Sequence, residues 1–146
     1  MTTIAWDGTT LAADKQITEG SRACGLMTKI GRLGPDKLWA LTGPASVGMQ
    51  VVGWLEGVRP KPDPWPEKAE VFIIHRDGRV EGYENCATPY PQDPGPFTAG
   101  SGGPVAHGAM LAGSDAYVAV ALASMVDIYT GGGIDTLTFE VPPGEG

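Results

Sequence analysis

The stretch Thr2-Thr3-Ile4-Ala5-Trp6-Asp7-Gly8-Thr9-Thr10-Leu11-Ala12-Ala13-Asp14 decides how this chain is read. Ile4 and Trp6 alternate with smaller residues, and Leu11 and Ala13 resume the alternation after Asp7-Gly8. That is the pattern of a β-hairpin, and Asp-Gly between β-type runs predicts a tight type I′ turn. The return strand carries the Asp14 carboxylate back beside the first residues. Thr2 directly follows the initiator Met1. Removal of Met1 leaves a hydroxyl and a free α-amine on one residue, so that residue can supply both nucleophile and base, directly or through one water. The same residues serve equally as the start of an edge strand, with Asp14 as a turn residue. The rest of the chain has to decide between the two.

The 146 residues suit one domain, 1–146, with a real core. Hydrophobic content is ordinary at 42%, while 22 glycines and 13 prolines lie between patterned segments rather than in one tract. The expectation is a loop-rich globular protein. A net charge of −7 with no basic run argues against nucleic acid. No 18-residue apolar stretch is present to span a membrane, and the start lacks the charged and apolar regions of a signal peptide, so a cytoplasmic location is expected. Cys24 and Cys86 have no Cys-x-x-Cys spacing and read as two buried or half-buried thiols rather than a disulfide. His75 and His107 have no neighbours at metal-ligand spacing, so neither a metal site nor a cofactor is expected.

Further along, a second pair of short strands is expected within 24–33. Lys37 to Thr42 is a mostly apolar strand that Gly43-Pro44 stops. Val47, Val51, Val52, Trp54 and Leu55 then recur at helical spacing. Arg59 to Pro66 holds four prolines in eight residues and reads as a stiff extended bridge. Glu70 to Ile74 and Val80 to Tyr83 form a hairpin about Asp77-Gly78. Asn85 to Pro96 is a loop, and Phe97 to Ala99 is short and β-like. Gly102 to Ala112 and Asp115 to Asp127 are two Ala-rich helices, the second capped by Ser114 or Asp115. Ile134 to Val141 is the last strand, and 142–146 a disordered tail. This order gives an α+β fold, with helices covering both faces of antiparallel sheets.

Six features could carry chemistry: Thr2, Asp14, Lys29, Gly43, Ser101 within Gly100-Ser101-Gly102-Gly103-Pro104, and the pair Asp127 and Thr130 leading into Gly131-Gly132-Gly133. Singly, each has a plain reading. Lys29 could be solvated, Gly43 an ordinary N-cap, and Gly100 to Pro104 a turn or a phosphate nest. The last lacks the Gly-Lys-Ser/Thr ending of a P-loop.

Taken in order, these residues resemble the proteasome β-subunit and HslV group of N-terminal threonine peptidases. The mature family chain begins Thr-Thr-x-Val/Ile, like Thr2-Thr3-Ile4-Ala5 read in that register. An Asp ends the second strand and a substrate-binding Thr follows four residues on, as Asp14 and Thr18 do. Lys29 matches the family lysine, and Gly43, fourteen residues beyond it, matches the oxyanion glycine. Gly100 to Pro104 matches the Gly-Ser-Gly-Gly/Ser-Pro element, and Asp127-Ile128-Tyr129-Thr130-Gly131 matches the motif after the fourth helix. The first hairpin is shorter than in the family, and Pro60 to Pro66 stands where the family has a longer helical hairpin.

The resemblance implies a four-layer αββα sandwich, the N-terminal nucleophile hydrolase fold. It implies that Thr2 attacks the scissile carbonyl and that Lys29, fixed by Asp14, tunes it. Gly43 would donate to the oxyanion, and Ser101, Asp127 and Thr130 would hold the amine. It places Ile17, Met27, Leu41 and Ala45 around the residue before the cut bond, with Thr18 on the substrate backbone. Implied partners are polypeptide substrates, a homo-oligomeric ring or stacked rings, and an ATP-dependent unfoldase. Two other readings remain: an amidase acting on a non-peptide amide, and a non-catalytic shell protein that keeps the fold.

Overall fold

The computed structural model describes residues 2–140. Its first hairpin joins β1 (Ile4–Trp6) to β2 (Thr10–Asp14), with Ile4 opposite Ala13 and Trp6 opposite Leu11. The turn is not type I′. That type needs two left-handed central residues, and here only Gly8 has a positive φ, of 97°. The Asp7 carboxylate closes the turn instead, accepting the N–H groups of Thr9 at 2.8 Å and Thr10 at 2.7 Å. An Asx turn of this kind needs no strained backbone at Asp7.

β3 (Gln16–Glu19) and β4 (Arg22–Leu26) form a separate two-stranded hairpin. The expected strand pair within 24–33 is therefore replaced. Residues 22–26 pair backwards with β3, while β5 (Ile30–Arg32) pairs forwards with β6 (Lys37–Thr42). All five residues of β4 are exposed, so no buried face imposed an alternation that could be read. Cys24 lies there and Cys86 in the loop after β8; both thiols are free and exposed rather than buried.

α1 (Ala45–Leu55) follows Gly43-Pro44 as expected. The proline-rich bridge after it is pinned by Trp65, which meets Trp54 edge-on at 5.6 Å and lies 6.3 Å from the Tyr83 ring. β7 (Glu70–His75) and β8 (Val80–Tyr83) continue the sheet, and β9 (Tyr90–Gln92) closes it within the expected loop. β9 is an edge strand, where the missing N–H of Pro91 is tolerated. β10 (Phe97–Ala99) pairs with β1, and β11 (Ile134–Thr138) with β2. The two larger sheets are β10-β1-β2-β11 and β5-β6-β7-β8-β9, all antiparallel. α2 (Gly103–Leu111) and α3 (Ala116–Val126) lie between β10 and β11 in sequence, and Asp115 caps α3 through the Val118 N–H. The chain is thus α+β, with three helices among the described residues. Met1, the end of the expected last strand at Val141 and the expected tail 142–146 lie outside the described residues.

Strand alternation sorts the core. Ile4, Trp6, Leu11 and Ala13 on one sheet meet Ile30, Leu38, Ala40, Phe72, Ile74 and Val80 on the other. Ala5 and Ala12, pointing the opposite way, meet Ala106, Ala116, Ala119, Val120 and Ala123 of α2 and α3. On the second sheet Trp39, Leu41, Val71 and Ile73 meet Val51 and Val52 of α1. Each fully buried Leu, Ile or Val contributes roughly 1.5–3 kcal/mol, so these seams fix the sheets and helices on which the site depends.

Candidate active site

The β1–β2 pairing sets Thr3 against Asp14. The Asp14 N–H donates to the Thr3 carbonyl at 3.3 Å, and the Thr3 N–H returns to Asp14 Oδ1 at 3.0 Å. Lys29 comes in just before β5, and its Nζ donates to the same Oδ1 at 2.8 Å. Asp14 Oδ2 accepts the Gly131 N–H at 3.1 Å and the Gln16 N–H at 3.4 Å. Both charged residues are buried, Asp14 fully and Lys29 to 2% exposure. Burial pushes the Lys29 ammonium below the ordinary lysine range, partly offset by the hydrogen bond and charge of Asp14 and by the charge of Asp127.

A second polar chain runs from the other side. Thr130 Oγ1 donates to Asp127 Oδ2 at 2.6 Å and lies 2.7 Å from Thr3 Oγ1. A hydroxyl has one proton and Thr130 gives it to the carboxylate, so Thr3 is the donor to Thr130. Ser101 Oγ also donates to Asp127 Oδ2, at 2.6 Å, and stands 3.5 Å from the Thr2 carbonyl. The Tyr129 N–H reaches Asp127 Oδ1 at 3.2 Å. Burial raises the Asp127 carboxyl, but the Ser101 and Thr130 hydroxyls and the Tyr129 N–H outweigh it and hold Asp127 below the usual carboxylate range.

Two glycines make this approach possible. A Cβ on Gly100, whose φ is 86°, would run into the Thr2 carbonyl, and one on Gly102 into Thr3 Oγ1. The Gly102 N–H in turn donates to the Thr2 carbonyl at 3.3 Å. Gly43 has a φ of 84°, and a Cβ there would meet the Lys68 carbonyl.

Thr2, only 2% exposed, and Lys29 open on a cavity of about 640 Å³. Ile17, Thr18, Met27, Leu41 and Ala45 line it together with Gly43 and Ser101. The structure thus gathers all twelve residues singled out in the sequence: nine line the cavity, Asp14 sits behind Lys29, and Asp127 and Thr130 stand in the polar chain behind Ser101. Several partners were not anticipated. Thr3 carries as much of the network as Thr2, and only its place in the Thr-Thr start hinted at that. Gly131 donates to Asp14. Gln16 Nε2 donates to Thr18 Oγ1 and to the Ile128 carbonyl, both at 3.0 Å, tying the β3–β4 hairpin to the Asp127 loop. Lys68 and Glu70 also line the cavity. Among the described residues no group of three His, Cys, Asp or Glu side chains could hold a metal.

No protein-family model matches the chain, and no curated protein matches it. Solved structures do. Thiobacillus denitrificans BPH aligns over 97% of this chain and 98% of its own at 20% identity, with a TM-score of 0.71. The same protein in complex with epoxomicin aligns over 96% and 99% at 19% identity, TM-score 0.69. Eukaryotic HslV from Trypanosoma brucei aligns over 96% and 99% at 17% identity, TM-score 0.69. At such identities the likeness is one of fold, and over nearly its whole length this chain has the fold of BPH and HslV.

Proposed function

We propose that the chain is a single-domain threonine peptidase of proteasome and HslV type, with its sheets and helices forming a four-layer αββα sandwich. One observation carries the reading. The buried Lys29–Asp14 pair and the Ser101–Asp127–Thr130 chain converge from two sides on the first residues, beside one cavity. A structural ion pair needs no cavity, and a surface turn needs no buried lysine.

In this reading Met1 is removed and Thr2 Oγ attacks the scissile carbonyl, forming the Oγ–C bond. The Oγ proton passes to the Thr2 amine, directly or through water, and on to the leaving amine as the C–N bond breaks. Lys29 stabilises the developing alkoxide by its charge, and Asp14 holds it in place. The Gly43 N–H donates to the oxyanion, worth roughly 3–4 kcal/mol for a well-placed donor. Ser101, Asp127 and Thr130 hold the amine. Water then hydrolyses the ester. Ile17, Met27, Leu41 and Ala45 are apolar, so the residue before the cut is apolar too.

The test is mass spectrometry after exposure to a peptide epoxyketone, with parallel turnover of fluorogenic peptides ending in Leu, Arg or Glu. The expected results are an adduct on Thr2, an intact mass lacking Met1, and preference for Leu. Full activity in Thr2→Ala, or Met1 retained on active enzyme, sinks the mechanism. A preference for Arg or Glu sinks the pocket.

A further inference from the structure

β3 and β4 form a two-stranded sheet of their own, outside the ladders of the two larger sheets. The Gln16 side chain ties this hairpin to the loop that follows α3. Its Nε2 donates to the Ile128 carbonyl and to Thr18 Oγ1, both at 3.0 Å, while its main-chain N–H points at Asp14 Oδ2. The other end of the amide lies over Gly131, where a Cβ would run into Gln16 Oε1. The glycine next to Thr130 therefore leaves room for this amide.

Counting protons gives the amide a second consequence. A carbonyl only accepts, so the end of the Gln16 amide at Ile128 is the nitrogen, and an amide nitrogen only donates. Thr18 Oγ1, bonded to the same nitrogen, must accept, and its own proton is not spent on Gln16. No other group among the described residues takes that proton. Thr18 is half-buried and lines the cavity with Gln16, so a ligand there meets an unspent hydroxyl proton. An acceptor that leaves water for the cavity needs such a donor.

We propose that Gln16 is a positioning residue for substrate, fixing the Thr18 hydroxyl as a hydrogen-bond donor to a main-chain carbonyl of the bound peptide. This rests on the peptidase reading and deepens it, since the resemblance offers Thr18 only as a contact to the substrate backbone. The carbonyl is not the one attacked, whose oxygen goes to the Gly43 N–H. A bond to a carbonyl that does not react is equally strong before and during the reaction, so its loss falls on KM rather than on kcat.

The experiment compares steady-state cleavage of fluorogenic peptides ending in Leu by wild type, Thr18→Val, Thr18→Ser, Gln16→Glu and Gln16→Met, with thermal melts to confirm folding. Valine keeps the shape of threonine without the hydroxyl. Glutamate keeps the shape of glutamine but accepts only, so it draws the Thr18 proton to itself, whereas methionine removes the amide and leaves that proton free. Thr18→Val and Gln16→Glu are each expected to raise KM roughly fivefold, the scale of one hydrogen bond. Gln16→Met falls between them and wild type, and Thr18→Ser keeps the wild-type KM. A wild-type KM in Thr18→Val or Gln16→Glu overturns the proposal. So does a Gln16→Met protein as impaired as Gln16→Glu, which makes Gln16 a tether and nothing more. If no peptide is cleaved, the peptidase reading fails on its own, and fluorescence anisotropy of the same peptides decides the Thr18 donor. Binding weakened in Thr18→Val and Gln16→Glu but not in Thr18→Ser supports it, and equal binding or none overturns it. Should Gln16→Glu not fold, Gln16→Met is combined with Thr18→Val. A Gln16→Met loss that vanishes without the hydroxyl supports the proposal, and one that persists overturns it.

Discussion

Asp14 receives four donors on two oxygens: the N–H groups of Thr3, Gln16 and Gly131, and the Lys29 ammonium. The burial of this pair means that removing Lys29 is not a clean catalytic probe. Removing one partner of a buried pair leaves the other uncompensated, at a cost of roughly 3–5 kcal/mol. Lys29→Met should therefore lose both turnover, by orders of magnitude, and stability in urea. Asp14→Asn/Lys29→Met should regain part of the stability and none of the turnover. A Lys29→Met protein as stable as wild type would mean that the pair is not charged in the fold. Asp7 offers a second probe, away from the cavity. It closes the first hairpin and accepts the Ala116 N–H at 2.8 Å, so it also caps α3 from outside. Burial raises its carboxyl, but the N–H groups of Thr10, Ala116 and Thr9 outweigh that and leave it lowered from 3.8. A folded value below the unfolded one gives stability that is complete above the unfolded value and lost as pH falls through the folded one. Asp7→Ala should cost about 1–2 kcal/mol at pH 7, by the scale of a lost cap. The gap to wild type should close as pH drops below about 4, the unfolded range of an aspartate. Urea midpoints at the two pH values measure this, and a gap that persists in acid would deny Asp7 its charged role.

At the scale of elements, legibility followed burial. β6 and β7 carry apolar runs because both their faces are covered, and α1 shows its helical spacing because one face packs on that sheet. Those elements could be read directly. The β3–β4 hairpin could not, since its strands are half or wholly exposed and no alternation marks them. The site divides in the same way. Thr2, Asp14, Lys29, Gly43, Ser101, Asp127 and Thr130 are polar or glycine residues at strand and helix ends, where such residues stand out. Glu70 is one more acid at the start of a strand, and its place on the cavity follows only from its pairing with Thr42. Gln16 and Gly131 act through geometry that spacing alone does not contain.

For the whole molecule, the outer face of α2 and α3 is the open question of surface. Leu111 is 76% exposed, Met125 80% and Val126 69%, with Tyr117, Val118 and Leu122 also exposed. Asp115 is the only charged residue from Gly102 to Val126. We propose that these exposed apolar side chains form a contact surface and that a second copy of the chain covers it. Light scattering on size-exclusion fractions should give a homo-oligomer, and Leu111→Glu/Met125→Glu should shift it towards smaller species. A stable monomer at micromolar concentration in the wild type would refute the assembly and leave the chemistry untouched.

The polar chain from Thr3 through Thr130 and Asp127 to Ser101 spans 127 positions between its first two members. Read in the order in which a ribosome makes the protein, Thr2, Thr3 and Asp14 come early, and Ser101, Asp127, Thr130 and Gly131 come late. A nascent chain halted before Asp127 carries the proposed nucleophile, but neither the Asp127 carboxylate and Thr130 hydroxyl of the polar chain nor the Gly131 N–H on Asp14. On the peptidase reading, the site is complete only once Asp127, Thr130 and Gly131 have been made.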